Sequence, residues 1–263
     1  MHVRPEELRA VRRGDLAIRY APFGDVTFAL VTLPSWGSRG TPLEDPCVEP
    51  HWGFVLHGSM ALDRGGKRRR LSAGTAFYVE GGEPAHRFVT RRRATIAGFV
   101  PVDPLAAERR LRERDAYEPV SGAGAPPQMA GITVESVAGA RRARARDGEI
   151  ETDAGLMGPL LFTLASFGST TGFTSGWCDL PHWGLLLRGG LTIEWEDDIE
   201  ALGEGDVYCC PGGPPGHRFE VADGAVVFDF TPLAAIAPDC RVEAWRPVPL
   251  DGGIRSRARS GRA

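Results

Sequence analysis

The sequence lacks the features of membrane, secreted and nucleic-acid-binding proteins. No apolar run approaches the roughly 18 residues of a membrane span, and residues 1–15 are charged and contain no apolar stretch of the signal-peptide type. The 31 Lys and Arg nearly balance the 34 Asp and Glu, which gives a net charge of −3 and argues against nucleic-acid binding. We therefore expect a cytoplasmic protein with a small-molecule partner, no membrane and no nucleic acid.

Cysteine is scarce. Five cysteines in 263 residues, an odd number, do not make a disulfide framework. Reduced thiols in a cytoplasmic protein favour metal binding or redox chemistry over cross-linking. The adjacent Cys209 and Cys210 have no counterpart elsewhere and are predicted to be core residues, with redox activity as the less favoured alternative, and Cys240 is left unassigned.

What the sequence does contain is an internal repeat. Pro-His-Trp-Gly occurs at 50–53 and again at 181–184, which is 131 residues later. At the same offset, without a gap, several cysteines, glycines, histidines and prolines recur: Cys47 and Cys178, Gly58 and Gly189, Gly74 and Gly205, His86 and His217, Pro101 and Pro232. The register holds from about residue 31 to 101, which indicates a gene duplication.

Each copy has short apolar runs of strand length separated by glycine-rich turns. In the first copy the runs are Val26–Leu33, 53–56, 60–63, Ala76–Val79 and 95–100. This pattern predicts an all-β protein of two tandem β-barrels. Residues 104–117 read as a helix, and residues 141–153 as a charged, exposed connection. The expected units are an N-terminal barrel (1–103), a partly helical linker (104–130), a C-terminal barrel (131–250) and a flexible basic tail (251–263).

The repeat carries the same three metal-ligating residue types in each half. The first set is Cys47, His51 and His86, and the second is Cys178, His182 and His217. Thiolate and imidazole bind zinc, iron and copper, and three protein ligands leave a coordination position open. On a regular strand Cys-x3-His would separate the two side chains by about 13 Å. We therefore expect a bend at Pro50 and Pro181.

Two stretches resemble motifs of the cupin superfamily. Pro50 to Gly58, P-H-W-G-F-V-L-H-G, resembles the end of the first cupin motif, and residues 74–86 and 205–217 resemble the second. The chain is thus similar to a bicupin, and the resemblance implies two jelly-roll-like barrels. It places His51 where the motif has glutamate, Cys47 at its second histidine and Asp45 at its first.

In the second half, the resemblance puts His182, Cys178 and Gly176 at those three places. The departure from His-x-His…Glu does not favour oxalate-type or dioxygenase activity. It resembles instead a group of small cupins whose first motif reads Cys-x3-His-x-Gly. Asp45 is a possible additional ligand in the first half only.

The alternation of side chains along a strand predicts which residues lie near each trio. Residues 53, 55 and 57 share the face of His51, so Gly53 and Gly184 are expected to leave room for a ligand. His57 and Arg188 are expected to point inward, as rim or substrate contacts. Trp52 and Trp183 are expected to pack on the other face, between sheets.

Three functions compete. The first is a metal-dependent enzyme that acts on a small polar metabolite with the metal as Lewis acid; zinc is favoured and Fe(II) second, and no general base stands out. The second is a non-catalytic metal or ligand-binding sensor, and the third a structural repeat without metal. An acid or base near one trio alone would favour catalysis there; Asp45 and His57 point to the first site. Monomer and homodimer both stay open.

Overall fold

The computed structural model describes residues 2–3, 7–13, 16–23, 26–101, 118–119, 141–144, 150–168 and 173–236. These residues form β-strands and two short 3-10 helices, Pro42–Glu44 and Leu233–Ala235. The strands of the first copy are β1 (His2–Val3), β2 (Arg9–Arg13), β3 (Leu16–Phe23), β4 (Val26–Leu33), β5 (His51–Arg64), β6 (Lys67–Ser72), β7 (Ala76–Val79), β8 (His86–Val89) and β9 (Ala94–Val100).

The second copy repeats this order of strands, with two exceptions. Its strands are β11 (Arg141–Arg144), β12 (Ile150–Met157), β13 (Leu160–Phe167), β14 (Phe173–Thr174), β15 (His182–Arg188), β16 (Leu191–Trp195), β17 (Ile199–Leu202), β18 (Val207–Cys210), β19 (His217–Val221) and β20 (Val226–Pro232), preceded by β10 (Glu118–Pro119). The exceptions are that β5 corresponds to two strands, β15 and β16, and that β14 is additional. No helix in the described part of the chain has the length and hydrophobicity that a membrane crossing needs.

The sheets form two tandem barrels, as the repeat predicts. In the first barrel the strand order is β10-β2-β3-β4-β9-β5-β6, and β7 and β8 also pair with β5. In the second barrel one sheet has the order β1-β18-β15-β20-β13-β12-β11 and the other β14-β19-β16-β17. The N-terminal strand β1 therefore extends the sheet of the second barrel, where it pairs antiparallel with β18.

Two strands have the bounds that the sequence predicts, whereas a charged segment that was predicted to be a connection forms strands. β4 and β7 have the predicted bounds, and β5 joins two predicted runs into one strand. Residues 141–153, which we expected to be an exposed connection, contain β11 and the start of β12, and Asp153 is buried. Four cross-strand pairs join β11 to β12, and four more join residues 150–153 to β13, so this charged segment belongs to the sheet. The predicted helix, Cys240 and the basic tail lie outside the described residues.

Side chains alternate between the barrel interiors and the junction of the two barrels. On β5, Val55 is buried inside the first barrel, whereas Trp52 and Phe54 are buried in a cluster formed by both halves of the chain. There the rings of Phe54 and Phe228 lie 5.3 Å apart. Trp52 belongs to this cluster and Trp183 packs against it, which agrees with the expected orientation of both tryptophans.

Candidate metal centres

Backbone pairing brings the cysteine of each trio to its distant histidine. Cys47 and His86 exchange two hydrogen bonds, each 2.8 Å from N to O. Cys178 and His217 do the same, at 2.7 and 2.8 Å. Each pair is an isolated antiparallel bridge, and two residues that face each other in such a bridge project their side chains to the same side.

The second histidine reaches the pair because the chain bends before the strand begins. β5 starts at His51, so Cys47 and His51 do not lie on one regular strand. The bend is packed against the glycine turn that precedes His86: a Cβ on Gly81 would lie 3.0 Å from Cδ of Pro50, and Gly82 N–H donates to the carbonyl of Val48 at 2.7 Å. As a result, Sγ of Cys47 lies 3.2 Å from Nε2 of His51.

The second copy reproduces the bend. Gly213 N–H donates to the carbonyl of Asp179 at 2.7 Å, and a Cβ on Gly212 would lie 2.9 Å from Cδ of Pro181. Sγ of Cys178 again lies 3.2 Å from Nε2 of His182. The expected bend at the two prolines is therefore present in both copies.

Each trio has the compactness that a metal site needs. One ligand atom from each residue of a trio lies within 4.8 Å of the others. A tetrahedral ion with the usual Zn–S and Zn–N lengths keeps its sulfur and nitrogen ligands about 3.5 Å apart. The 3.2 Å between sulfur and nitrogen is close to that separation. The donor set of the trio therefore fits a transition metal.

A second observation concerns the buried histidines. His86 and His217 are 1% and 0% exposed, and both ring nitrogens of each have no hydrogen-bond partner among the described residues. Burying polar groups without partners is costly, and such groups call for an explanation. A metal ion bound to one nitrogen of each ring would supply one of the two missing interactions.

The imidazoles of the first site are held neutral. Burial lowers the pKa of His51 to about 3, with a further contribution from the nearby His86. Burial, together with the positive charge of Arg64, lowers the pKa of His86 to about 4. The neutral imidazole is the form that binds a metal.

The second site has a polar network behind it that sequence reasoning missed. Nδ1 of His182 lies 3.1 Å from Oδ1 of Asp229 and 3.0 Å from Oγ1 of Thr231. The hydroxyl of Tyr208 donates to Oδ2 of Asp229 at 2.5 Å. The first copy has Phe77, Gly98 and Val100 at the positions of Tyr208, Asp229 and Thr231. Polar residues that replace apolar ones in a duplicated strand are the signal that would have found the network.

This network changes the charge of the second site. Burial lowers the pKa of His182, but the Asp229 carboxylate and Cys178 outweigh burial and raise it to about 9. Burial and the neighbouring His182 lower the pKa of His217 to about 4. Burial and the Asp229 carboxylate raise the pKa of Tyr208 well above its usual value, so its hydroxyl stays a donor.

The space beside Gly53 and Gly184 is filled, not open for a ligand as expected. A Cβ on Gly53 would lie 2.5 Å from Cζ of Phe77, and a Cβ on Gly184 the same distance from the hydroxyl of Tyr208. In the second barrel Gly184 pairs across the sheet with Tyr208 on one side and Asp229 on the other. The missing side chain thus lets the tyrosine reach the aspartate.

The remaining candidates lie outside the trios. Asp45 and His57 are half-buried and are not in the ligand group, and Arg188 is exposed and donates to the carbonyl of Gly224 at 2.8 Å. The exposure of Arg188 differs from the inward orientation expected for it, and the register of the strand shifts between Leu186 and Arg188. In the second half, the carboxylate of Asp229 lies beside the trio; the roles of Asp45 and His57 stay predictions.

The adjacent cysteines behave as core residues. Cys210 is fully buried inside the second barrel, and Cys209 packs against the cluster between the barrels. Burial raises the pKa of both thiols, which disfavours the reactive thiolate.

A groove lies beside the second trio. Its volume is about 650 Å³, and Cys178 lies in its wall together with Trp177, Glu196 and Pro215. Trp177 is 55% exposed, and Cys178 is half-buried.

Comparison with known proteins gives matches in structure but none in sequence. No protein-family model matches the chain, and no curated protein does. Among solved structures, AerE from Microcystis aeruginosa matches with a TM-score of 0.57 and 12% identity, over 86% of this chain and 98% of that one.

Two oxalate decarboxylases also match. The enzyme from Bacillus subtilis, in a structure concerned with its Mn(II) centres, has a TM-score of 0.62 and 11% identity over 90% of this chain and 78% of that one. The formate complex of the Lactobacillus farciminis enzyme has a TM-score of 0.61 and 11% identity over 90% of this chain and 86% of that one. At this identity the likeness concerns the fold: the chain has the fold of two tandem cupin-type barrels.

Proposed function

We propose that this protein is a metal-dependent enzyme that acts on a small polar metabolite. The observation that carries the proposal is the pair of buried histidines, His86 and His217, whose ring nitrogens have no hydrogen-bond partner among the described residues. Each lies in a compact group with a cysteine and a second histidine. A bound divalent transition metal accounts for both facts in both copies.

The chain would hold the metal in each barrel through one thiolate and two imidazoles. In the second barrel these are Sγ of Cys178, Nε2 of His182 and one ring nitrogen of His217. A metal in such a site polarises a carbonyl group or lowers the pKa of a bound water. Three protein ligands leave a position for the substrate, and we expect substrate to enter through the groove that Cys178 lines.

Zinc is our first choice of metal and Fe(II) the second. A borderline-soft ion suits a mixed set of thiolate and imidazole, whereas manganese and magnesium prefer oxygen ligands. Reduced thiols at both sites fit a cytoplasmic location.

The oxalate decarboxylase neighbours favour the enzyme over a binding module, since both are named for a reaction on a small polar acid. A buried carboxylate and a hydroxyl beside one trio only also favour catalysis. Asp229 holds Nδ1 of His182, and the Tyr208 hydroxyl holds Asp229. The alternative is a sensor that binds a metal or a ligand without turnover.

Metal analysis tests whether the trios bind metal, which is the feature that the enzyme and the metal-binding sensor share. We expect about two metal equivalents per chain in the purified protein, and about one in Cys47→Ala and in Cys178→Ala. Cys209→Ser, which alters a cysteine outside the trios, is the matched control and should keep both equivalents. A wild-type protein that contains no metal, and takes up none when zinc is added, overturns the proposal.

Turnover separates the enzyme from the sensor. Metal-loaded protein is incubated with oxalate and a panel of small carboxylic acids and amides, and the products are followed by NMR. Turnover that disappears in Cys178→Ala and persists in Cys209→Ser supports the enzyme. Saturable binding of a panel compound without product supports the sensor and contradicts the enzyme.

A further inference from the structure

We infer that the two metal sites are unequal, and that the second barrel holds the tighter one because Asp229 acts as a positioning residue for His182. This inference rests on the proposed function, since it presupposes that the trios bind metal. It predicts a difference in metal affinity between two sites that the repeat alone predicts to be equivalent. It also assigns roles to residues outside both trios.

The first step is the orientation of His182. At neutral pH the raised pKa of His182, about 9, leaves a proton on Nε2 that a metal has to displace. Nδ1 stays the donor to Oδ1 of Asp229, at 3.1 Å, so the lone pair that becomes free is on Nε2, which faces Sγ of Cys178 at 3.2 Å. The hydroxyl of Thr231 lies 3.0 Å from the same Nδ1 and donates to Oδ1 of Asp229 at 3.4 Å. The imidazole is thus fixed in its tautomer and in its rotation.

The second step is the support of Asp229 itself. Its carboxylate is 8% exposed, and its other oxygen accepts a hydrogen bond from the hydroxyl of Tyr208 at 2.5 Å. The tyrosine reaches it across Gly184, which pairs with both residues in the sheet. A buried carboxylate held from both sides keeps its position when a metal binds, so no reorganisation is needed.

At the three corresponding positions of the first copy, the structure places no such support for His51. Phe77, Gly98 and Val100 stand at the positions of Tyr208, Asp229 and Thr231, and none of the three carries a side chain that forms hydrogen bonds. The ring of His51 has aromatic neighbours instead, with Phe88 at 5.6 Å between centroids. Carboxylate partners of metal-binding histidines typically contribute about 10–100-fold to metal affinity.

A difference in charge acts in the same direction. Arg64 pairs with His86 across β5 and β8, and its positive charge contributes to the lowered pKa of that histidine. A divalent cation at the first trio meets the same repulsion. The second copy has Trp195 at the corresponding place, with its ring 5.4 Å from that of His217. The side chain of Trp195 is neutral and does not repel a bound cation.

The test measures the zinc affinity of each site by competition with a chromophoric chelator. Cys47→Ala leaves the second site intact and Cys178→Ala leaves the first. Measured at about pH 9, where a proton on His182 no longer competes strongly with zinc, the site in Cys47→Ala should bind zinc about 10–100-fold more tightly than the site in Cys178→Ala. Equal affinities, or tighter binding in Cys178→Ala, overturn the inference.

The role of Asp229 is tested in the Cys47→Ala background. We expect Asp229→Asn to lower the zinc affinity by about 10–100-fold and to shift the absorption bands of the cobalt-substituted protein. Asp206→Asn is the matched control: Asp206 is another buried aspartate of the second barrel that accepts a hydrogen bond from Gly203 N–H at 2.7 Å. This control should leave affinity and spectrum unchanged even if it lowers stability.

A second variant covers the case in which Asp229→Asn does not fold. Tyr208→Phe keeps the ring and the carboxylate and removes one hydrogen bond, so a several-fold loss of affinity is expected. Affinity that is unchanged in the folded variants shows that Asp229 does not position His182. If neither Cys47→Ala nor Cys178→Ala binds zinc, it is the proposed function that fails.

Discussion

Asp229 holds His182 through a hydrogen bond of 3.1 Å in the second barrel, whereas the duplicated histidine of the first barrel, His51, has Gly98 at the corresponding position. Two histidines of common origin therefore have opposite electrostatic surroundings. Burial lowers the pKa of His51 to about 3, while the carboxylate overrides burial and raises the pKa of His182 to about 9.

The first prediction concerns the pH dependence of stability in metal-free protein. His182 binds its proton more tightly in the folded state, so its contribution is complete below about pH 6.5 and is lost as the pH rises to about 9. His51, His86 and His217 have lowered pKa values of about 3, 4 and 4. The unfolded chain binds more protons at these three, so stability rises with pH up to about 6.5.

Urea unfolding at a series of pH values, with a chelator present, measures this dependence. We expect the fall in unfolding free energy between about pH 6.5 and 9 to be smaller in Asp229→Asn, because the largest of the interactions that raise the pKa of His182 is gone. A fall of equal size in the wild type and in this variant would show that His182 is not its source.

The second prediction concerns Gly184, whose missing side chain leaves room for Tyr208. In Gly184→Ala the new Cβ would lie 2.5 Å from the hydroxyl of Tyr208 and would also meet the backbone oxygen of Phe228. We expect a loss of about 1–3 kcal/mol in unfolding free energy from overpacking. In Gly176→Ala the new Cβ meets nothing within 4 Å, so a change below about 0.5 kcal/mol is expected.

Thermal unfolding of the two glycine variants beside the wild type provides the measurement. Equal unfolding temperatures for both would mean that Tyr208 can move aside at little cost. That result would also contradict the view that the glycine is needed for the tyrosine to reach Asp229.

The internal repeat predicted the two barrels and both trios because each depends on short sequence patterns that are still recognisable in both copies. A proline bend before a strand, a glycine turn and a distant histidine can be read from the offset of 131 residues. The antiparallel bridge between Cys47 and His86 then brings the predicted ligands together without any further information.

The network behind the second trio could not be predicted in the same way. Tyr208 and Asp229 lie on β18 and β20, which flank β15 on opposite sides, and a single sequence does not reveal which strands are neighbours or in what register. The orientation of Arg188 was predicted wrongly for a related reason. The prediction of an inward side chain assumed regular alternation, but Arg188 is exposed next to a register shift that only the structure reveals.

The third prediction concerns the junction of the barrels. The indole N–H of Trp52 donates to the carbonyl of Met157 at 2.8 Å, whereas that of Trp183, the equivalent residue, is buried without a partner among the described residues. Trp52→Phe removes a buried hydrogen bond and should lower the unfolding free energy by about 1–3 kcal/mol. Trp183→Phe removes a donor without a partner and should cost less.

Urea unfolding of both tryptophan variants gives the comparison. Both lose the same part of the ring, but Trp52 is buried and Trp183 is half-buried, so the difference between them reports the hydrogen bond together with the greater burial of Trp52. A larger loss of unfolding free energy in Trp183→Phe than in Trp52→Phe would contradict the view that the hydrogen bond from Trp52 to Met157 stabilises the contact between the barrels.

The fourth prediction concerns the choice of metal. The Bacillus subtilis oxalate decarboxylase that shares the fold has Mn(II) centres, but a thiolate and two imidazoles favour zinc over manganese. Protein loaded with Mn(II) should therefore release it when one equivalent of zinc per site is added, and the release is followed by the EPR signal of hydrated Mn(II). Cys178→Asp replaces sulfur with oxygen and should weaken the preference for zinc at the second site alone. Mn(II) that stays bound in the wild type in the presence of zinc would show that the thiols are not ligands.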